Sequence, residues 1–229
     1  MKAIAIDTSN NTLGIAVLNG ETVAGEYITN LKKNHSLRAM PAIEALLKEC
    51  GLAPQDLDKV IVANGPGSYT GVRIGVSIAK TLAWSLNIPV AAVSSLEVLA
   101  ANGHFFSGSI CPLFDARRGR VYTGLYRYQN REIKCTAEDC NVLLTDWLKM
   151  LKEKGDPVLF LGSDTGIHQE TIEEYLGEKA VFGSLTLQNP RPSELGRLGL
   201  KKENCQVHAL VPNYTRLAEA EAKWLEEQK

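Results

Sequence analysis

The strongest constraint on the fold is that the predicted elements of the chain occur twice in the same order. The first half reads as three consecutive strands beginning with "KAIAIDTS", then a helix that Gly51 ends, the buried strand "KVIVAN" and a second helix. The second half starts again near residues 107–109, with "SICPLFDARRG" and its hairpin partner "RVYTGLYRYQ" as strands. A weaker third strand near Glu132 to Thr136, a helix, the strand "PVLFLG" and another helix follow. Both halves therefore predict the order βββαβα.

A duplicated βββαβα order is typical of the ribonuclease-H-like, actin-type α/β layout, in which two tandem lobes face each other across a cleft. We predict a first lobe over residues 1–105 and a smaller, more degenerate lobe over residues 106–229. The strand "PVAAVS" and a short helix "SLEVLAAN" complete the first lobe. The last segment predicts a charged helix with Leu217, Ala220 and Trp224 on one stripe, packed against the body.

Composition limits the classes of function. The 229 residues are 45% hydrophobic and 22% charged, and the formal net charge is -1 without a basic block. Such a charge balance argues against a protein that binds nucleic acid on its own. No signal peptide pattern and no apolar run long enough for a membrane helix are present, which predicts a cytoplasmic protein. The five cysteines and four histidines are scattered, which predicts reduced thiols and no metal site.

The stretch "NGPGSYTGVRIG" combines a glycine-rich turn with the start of a helix. Gly65, Pro66 and Gly67 predict the turn, Ser68 the N-cap, and the periodicity a helix from about Tyr69 to Ser85. A Walker loop would need Lys followed by Ser or Thr after the final glycine, and a Rossmann loop would need GxGxxG after the first strand. Neither pattern is met, so we do not predict a phosphate loop here.

This helix has two apolar faces. One face is suited to the sheet and consists of Val72, Val76, Ala79, Ala83 and Leu86. The neighbouring face carries Gly71, Gly75, Ile78 and Leu82. A glycine inside a helix costs about 0.5–1 kcal/mol relative to alanine, so two of them predict the close approach of another backbone. That backbone belongs either to a partner protein or to the chain's own sheet, and the sequence leaves both open.

Four motifs carry a family resemblance. "AIDTS", "NGPGSYTGVRIG", "VSSLE" and "DARRG", in this order and spacing, resemble the bacterial TsaB (YeaZ) family over the whole chain. The resemblance implies a role in making threonylcarbamoyladenosine on tRNA, together with the catalytic paralogue TsaD and the ATPase TsaE. It implies that the complex transfers a threonylcarbamoyl group from its adenylate to N6 of adenosine 37, beside the anticodon, in tRNAs that read codons beginning with A.

The same resemblance implies that this chain has no catalytic residue of its own. The catalytic paralogue is expected to carry His-x-x-x-His, which holds a metal ion, where "SSLEVLA" here offers Ser95 and Leu99. Same-fold kinases hold ATP through an Asp-Gly turn, whereas Asp7 is followed by Thr8 and Ser9. We therefore expect no metal and no cofactor of its own, with ATP bound only within the partner complex. The possible vestigial nucleotide-binding residues are Asp7, Thr8, Ser9, Asp115, Arg117, Arg118 and Gly119; a polar hairpin turn is the alternative for the last four.

The predicted site is a partner surface formed by the helix from His35 and the helix from Tyr69. It would pair with the equivalent helices of TsaD or, without TsaD, with a second copy as a homodimer, since a two-fold interface reuses one surface. The tRNA would be engaged indirectly. Gly75→Leu is expected to block association and leave the fold intact. The residues assigned to this surface are His35, Arg38, Ala42, Tyr69, Gly71, Arg73, Ile74, Gly75, Ile78 and Leu82.

Two alternatives remain open at this stage. The first is a free-standing ATP-dependent kinase or hydrolase of the same fold, in which Asp7 and Asp115 form a carboxylate pair across the cleft. ATP turnover by the isolated chain that Asp115→Ala abolishes would favour it. The second is direct tRNA binding through a local patch of Arg117, Arg118, Arg120 and Arg127.

Overall fold

The first lobe is built on a five-stranded mixed sheet. In the computed structural model, which describes residues 1–31 and 34–215, its strand order is β3-β2-β1-β4-β5. The first three strands form an antiparallel meander, and β4 and β5 run parallel to β1. The helix predicted around Leu217, Ala220 and Trp224 lies outside the described residues. The strands are β1 (Lys2–Asp7), β2 (Thr12–Asn19), β3 (Thr22–Asn30), β4 (Lys59–Ala63) and β5 (Val90–Val93).

Three helices of this lobe confirm the sequence prediction. They are α1 (His35–Glu49), α2 (Tyr69–Leu86) and α3 (Ser95–Ala101). The Asn34 side chain caps α1, and Pro41 lies inside this helix. Ser68 caps α2 as predicted, because its side chain accepts a hydrogen bond from the Gly71 N–H.

The second lobe repeats the topology of the first. Its sheet has the order β8-β7-β6-β9-β10. Strand by strand, this is the order of the first sheet, with β6 in the central position of β1. This confirms the predicted two-lobed α/β fold. β8 is longer than the strand predicted near Glu132 to Thr136, because it pairs with β7 from the hairpin to Arg120↔Leu143. The elements are β6 (Ser109–Asp115), β7 (Arg120–Gln129), β8 (Glu132–Leu143), α4 (Leu144–Lys154), β9 (Val158–Leu161), α5 (Thr165–Leu176) and β10 (Ala180–Phe182).

Helix α6 (Pro192–Lys201) was not predicted from the sequence, and it returns to the first lobe. Its glycines allow it to lie close to the first sheet: a Cβ on Gly196 would be 2.2 Å from Leu18 Cδ1, and one on Gly199 would be 2.2 Å from Ile61 Cγ2. The second sheet begins with β6 at Ser109, shortly after the boundary predicted at residue 105. That boundary does not separate the lobes in space, because α6 packs on the first sheet.

Helices cover both faces of the first sheet. The outer face packs Ile4 and Ile6 against α1 and α2, whereas α3 and α6 pack on the inner face together with the start of the second sheet. The outward sides of α1 and α2 are therefore left for solvent or a partner. Among the described residues, no helix is long and apolar enough to cross a membrane.

Candidate partner surface and inter-lobe cleft

The glycine-rich turn before α2 is tight because it packs directly on the turn that follows β1. The Ser68 N–H donates a hydrogen bond of 2.7 Å to the Ser9 carbonyl. A Cβ on Gly67 would lie 2.2 Å from the Ser9 oxygen, and one on Gly71 would lie 2.2 Å from the Thr8 oxygen. Real Cβ atoms do not come this close to a carbonyl oxygen, so only glycine permits this contact between two backbones.

The prediction that Gly71 and Gly75 form a notch for a partner is wrong. Both residues are buried against the chain's own first turn: the Thr8 hydroxyl donates a 2.7 Å hydrogen bond to the Gly71 carbonyl, and a Cβ on Gly75 would lie 2.5 Å from that hydroxyl oxygen. The other possibility left open by the sequence, close packing within the chain itself, therefore holds. The close contact is with the turn that follows β1. Gly75→Leu would therefore disturb the fold as well as any interface.

Three further predicted contact residues serve mainly to hold α1 in place. Ala42 is buried in the core under α1, so its assignment to the partner surface is also wrong. The His35 ring lies with Nε2 2.8 Å from the carbonyl oxygen of Asn10 and ties the start of α1 to the first turn. The Arg38 guanidinium donates to Thr29 Oγ1 at 2.5 Å.

The remaining predicted residues border a groove between α1 and α2, which we call the α1–α2 groove. It has a volume of about 420 Å³ and is lined by Ser36, Met40, Tyr69, Thr70, Arg73, Ile74, Ser77 and Ile78. The structure thus brings together four predicted residues, Tyr69, Arg73, Ile74 and Ile78, while Leu82 lies half-buried further along α2.

Three large apolar side chains on these helices are exposed and were missed by the sequence analysis. Leu37 is 75% exposed, Met40 47% and Trp84 67%. Large apolar residues in a helix are normally expected in the core. The only sequence signal that these three are exposed is that they fall outside the apolar stripe that faces the sheet. Of the three, Met40 lines the α1–α2 groove, and exposed apolar surface at a groove is a mark of protein association.

The edge of the groove is ordered by aromatic contacts. The Tyr69 ring stacks on Tyr214 with centroids 4.9 Å apart. The Arg73 guanidinium lies over the Tyr69 ring, 5.2 Å from its centroid, and donates a 3.0 Å hydrogen bond to the Tyr69 hydroxyl. A tyrosine and an arginine held in this way lose little rotamer freedom when a partner binds.

A larger cleft of about 680 Å³ lies between the lobes. Of the possible nucleotide-binding residues, Ser9, Asp115 and Arg117 line it, together with the residues at the start of α2. Arg118 and Gly119 belong to the hairpin turn after β6, where Arg117, Arg118 and Gly119 all have positive φ. The cleft and the α1–α2 groove share Tyr69, Thr70 and Ile74, so the two sites adjoin.

Asp115 is tied to the second lobe. Its carboxylate oxygen Oδ1 lies 3.0 Å from His168 Nε2, and its backbone N–H donates to Asp164 Oδ2 at 3.0 Å. These contacts join the end of β6 to α5. The second sheet therefore fixes the position of the Asp115 carboxylate at the cleft.

Asp7 is buried and does not line the cleft. Its Oδ1 accepts hydrogen bonds from the N–H and the hydroxyl of Ser9, at 2.8 and 2.7 Å. Within the described part of the chain, its Oδ2 is buried without a hydrogen-bond partner. Burial raises the pKa of the Asp7 carboxyl above its usual range, although the Ser9 hydrogen bonds oppose the shift.

We expect Asp7→Asn to become more stable relative to the parent as the pH rises. Because the pKa of Asp7 is raised in the folded state, ionisation costs the folded chain more than the unfolded chain. That penalty is absent below the unfolded pKa, near 3.8, and complete above the folded pKa. Thermal unfolding of both proteins from pH 4 to 8 checks this, and a difference in Tm that stays constant with pH would contradict it.

The residues at the two implied metal positions have packing roles. Ser95 Oγ accepts a 3.1 Å hydrogen bond from the Gly65 N–H and so orders the glycine-rich turn, while Leu99 is fully buried in the core between the lobes. Among the described residues, no group of three or more His, Cys, Asp or Glu side chains is placed to hold a metal ion.

Comparison with known proteins gives the family. The family model described as TsaD, tRNA N6-adenosine threonylcarbamoyltransferase, matches residues 22–224. The tRNA threonylcarbamoyladenosine biosynthesis protein TsaB of Bacillus subtilis is 65% identical over 229 residues, which is 100% of both chains. This chain belongs to the TsaB family.

Two further similarities agree with this assignment. The TsaB of Buchnera aphidicola is 32% identical over 158 residues, which cover 66% of this chain and 74% of that protein. YeaZ from Pseudomonas aeruginosa has a TM-score of 0.76 at 24% identity, over 93% of this chain and 99% of the other, which shows a shared fold. The fold predicted from the duplicated element order and the family predicted from the four motifs are thereby confirmed.

Proposed function

We propose that this chain is the non-catalytic scaffold subunit that activates TsaD for threonylcarbamoyl transfer to N6 of adenosine 37 in tRNAs reading codons beginning with A. The names of its TsaB relatives support the pathway. The observation that carries the scaffold role is the exposed, apolar α1–α2 groove on the outer face of the first lobe.

The groove has the composition of a binding hot spot. Tyr69, Arg73 and Met40 line it, and Trp84 is exposed on the same helix as Tyr69. Tyrosine, tryptophan and arginine dominate the energy of protein interfaces when water is excluded around them. In the proposal, the equivalent helices of TsaD cover this surface. In the absence of TsaD a second copy of the chain covers it and forms a homodimer, because the same patch pairs with itself about a two-fold axis.

The position of the cleft supports a nucleotide that binds only in the complex with TsaD and the ATPase TsaE. Tyr69, Thr70 and Ile74 border both the cleft and the α1–α2 groove, so a partner in the groove also forms a wall of the cleft. Arg117 is exposed at the cleft and available to a phosphate. In this proposal the chain alone has no cofactor, and TsaD and its tRNA supply the reacting atoms.

The geometry argues against the alternative of a free-standing ATP-dependent kinase or hydrolase that uses Asp7 and Asp115. That mechanism needs both carboxylates at the cleft, whereas Asp7 is buried on Ser9 and only Asp115 lines the cleft. The geometry also argues against direct tRNA binding through the four arginines considered above. Two of them are already bound within the chain, Arg120 to Asn141 and Arg127 to Asp156.

Reconstitution tests the proposal. Purified chain, TsaD and TsaE are mixed with tRNA and the threonylcarbamoyl adenylate, and modified adenosine is measured by mass spectrometry after digestion of the tRNA. We expect product only when TsaD is present and at least a tenfold slower transfer when this chain is left out. ATP turnover by the chain alone is measured in parallel with Asp115→Ala. Transfer by the chain alone, full activity of TsaD without it, or turnover that Asp115→Ala abolishes would overturn the proposal.

A further inference from the structure

A second groove lies on the opposite side of the first sheet from α1 and α2, where the two lobes join. We call it the aromatic groove; it has a volume of about 640 Å³ and is lined by His104, Phe105, Phe106, Ser107, Tyr128, Arg131 and Arg197. These residues come from the connection between α3 and β6, the end of β7 and its hairpin turn, and α6. This volume is within the range of ligand sites, about 300–1,000 Å³.

The aromatic side chains of this groove are held in place with part of their surface open. Phe105 is 60% exposed, and the His104 ring has its centroid 5.9 Å from that of Phe105 and 6.2 Å from that of Tyr128. The Tyr128 hydroxyl accepts a 3.3 Å hydrogen bond from Arg197 Nη2. The groove therefore offers aromatic rings that contact one another and keep part of their surface exposed, Phe105 most of all.

The charge around the aromatic groove is positive. No acidic residue lines it, and two acids on the elements that form it are paired: Glu194 with Arg197, and Glu132 with Lys134 and Lys201. Arg131 is exposed, and among the described residues no acidic side chain pairs with it. One guanidinium at this rim is thus available for an anion.

The backbone of Arg131 is unusual for an arginine. Asn130 and Arg131 form the two-residue turn between β7 and β8, with φ of 51° and 63°. Such turns favour glycine at the second position, and a side chain there costs about 1 kcal/mol. Arginine at this position places a cation beside the groove at the expense of stability.

We propose that the aromatic groove binds an unpaired nucleotide of single-stranded RNA, with the base stacked on Phe105 and the adjoining phosphate paired with Arg131. Stacking on aromatic rings combined with arginine contacts to phosphate is the chemistry by which proteins hold single strands without reading their sequence. The choice of tRNA as the source of that strand rests on the function proposed above. The site lies away from the α1–α2 groove, so one bound partner does not exclude the other.

The test is fluorescence anisotropy of a labelled eight-nucleotide adenosine RNA titrated with the full chain at 50 and 200 mM salt. We expect Phe105→Ala to weaken binding roughly 5- to 100-fold, the effect of removing one stacking partner. Arg131→Gly should weaken binding and reduce the slope of log Kd against log salt by about 0.7, the value for one phosphate contact on a single strand. Double-stranded RNA of the same length should bind more weakly than the single strand.

The turn offers a matched control, because Asn130→Gly also adds a glycine at positive φ but removes no charge. Both glycine variants should fold as well as the parent, and only Arg131→Gly should lose affinity. Absence of binding by the parent, equal binding by Phe105→Ala and the parent, or equal effects of the two glycine variants would overturn the inference. So would a glutamate-rich peptide that binds with the same sensitivity to Phe105→Ala, since the site would then serve an acidic protein partner.

These outcomes are separate from those that test the scaffold role. If the chain activates TsaD but Phe105→Ala leaves RNA binding unchanged, the inference about the aromatic groove fails and the proposed function stands. If the RNA binds as expected but TsaD transfers equally well without the chain, the proposed function fails and the RNA site stands.

Discussion

Replacing Gly71 with alanine is expected to lower the free energy of unfolding by about 1–3 kcal/mol, or Tm by roughly 2 to 12 °C. Alanine in a helix normally stabilises by up to about 1 kcal/mol relative to glycine. Here the added Cβ would lie 2.2 Å from the Thr8 carbonyl oxygen, so either α2 or the turn after β1 must move. That movement weakens the hydrogen bonds from Thr8 to Gly71 and from Ser68 to Ser9. Thermal and denaturant unfolding measure the change.

Gly166→Ala is the matched control for this substitution. Gly166 is also a helical glycine, in the first turn of α5, and no atom lies within 4 Å of an added Cβ. The control should therefore leave stability unchanged or raise it by up to about 1 kcal/mol. A Gly71→Ala protein as stable as the parent would show that the first turn and α2 do not pack as closely as described.

The contrast between these two glycines shows what the sequence of α2 can and cannot predict. The bounds of the helix and its Ser68 cap follow from local chemistry, namely a capping hydroxyl and an apolar period of 3.6 residues, and both predictions were confirmed. The spacing of Gly71 and Gly75 predicted the close approach of another backbone, which holds for Gly71 and the Thr8 carbonyl, whereas Gly75 meets the Thr8 side chain. The spacing did not identify that backbone, because the neighbour, Thr8, is 63 positions away in the chain from Gly71.

Helix α6 is a second case in which the local sequence did not reveal a tertiary contact. Pro192 at its first turn is a helix start signal, but two glycines within ten residues make the segment a poor helix former in isolation. Those glycines fit the helix onto Leu18 and Ile61 of the first sheet. Tertiary packing stabilises this helix, so local propensity did not reveal it.

The α1–α2 groove was predicted in outline from α2 and the family resemblance, but its boundaries were not. Ala42 turned inward to the core, while Met40, two positions earlier, points outward. Periodicity states which residues of a helix share a face. Whether that face meets the sheet or the solvent depends on how α1 lies beside α2, which is a property of the folded chain.

Met40→Lys is expected to weaken association with TsaD at least about 100-fold and to abolish the homodimer, with the fold unchanged. In the free chain Met40 is 47% exposed, so water solvates the new ammonium and stability should change by less than about 0.5 kcal/mol. In the proposed interface the ammonium is buried beside Arg73, and no acidic side chain lines the groove; Glu44, one turn further along α1, lies outside it. An unpaired buried charge costs several kcal/mol, and each 1.4 kcal/mol is a factor of ten in Kd.

Leu185→Lys makes the same change from an apolar side chain to a lysine on the second lobe, where Leu185 is 88% exposed. It should bind TsaD like the parent in calorimetry and sediment like the parent in the ultracentrifuge, so that a general effect of added charge is separated from one at the groove. Met40→Lys tests the surface while Gly71 and Gly75 stay unchanged. Substitution of either glycine would make loss of folding indistinguishable from loss of binding. If Met40→Lys binds TsaD within twofold of the parent, the partner does not occupy the α1–α2 groove, and the scaffold role must rest on another surface.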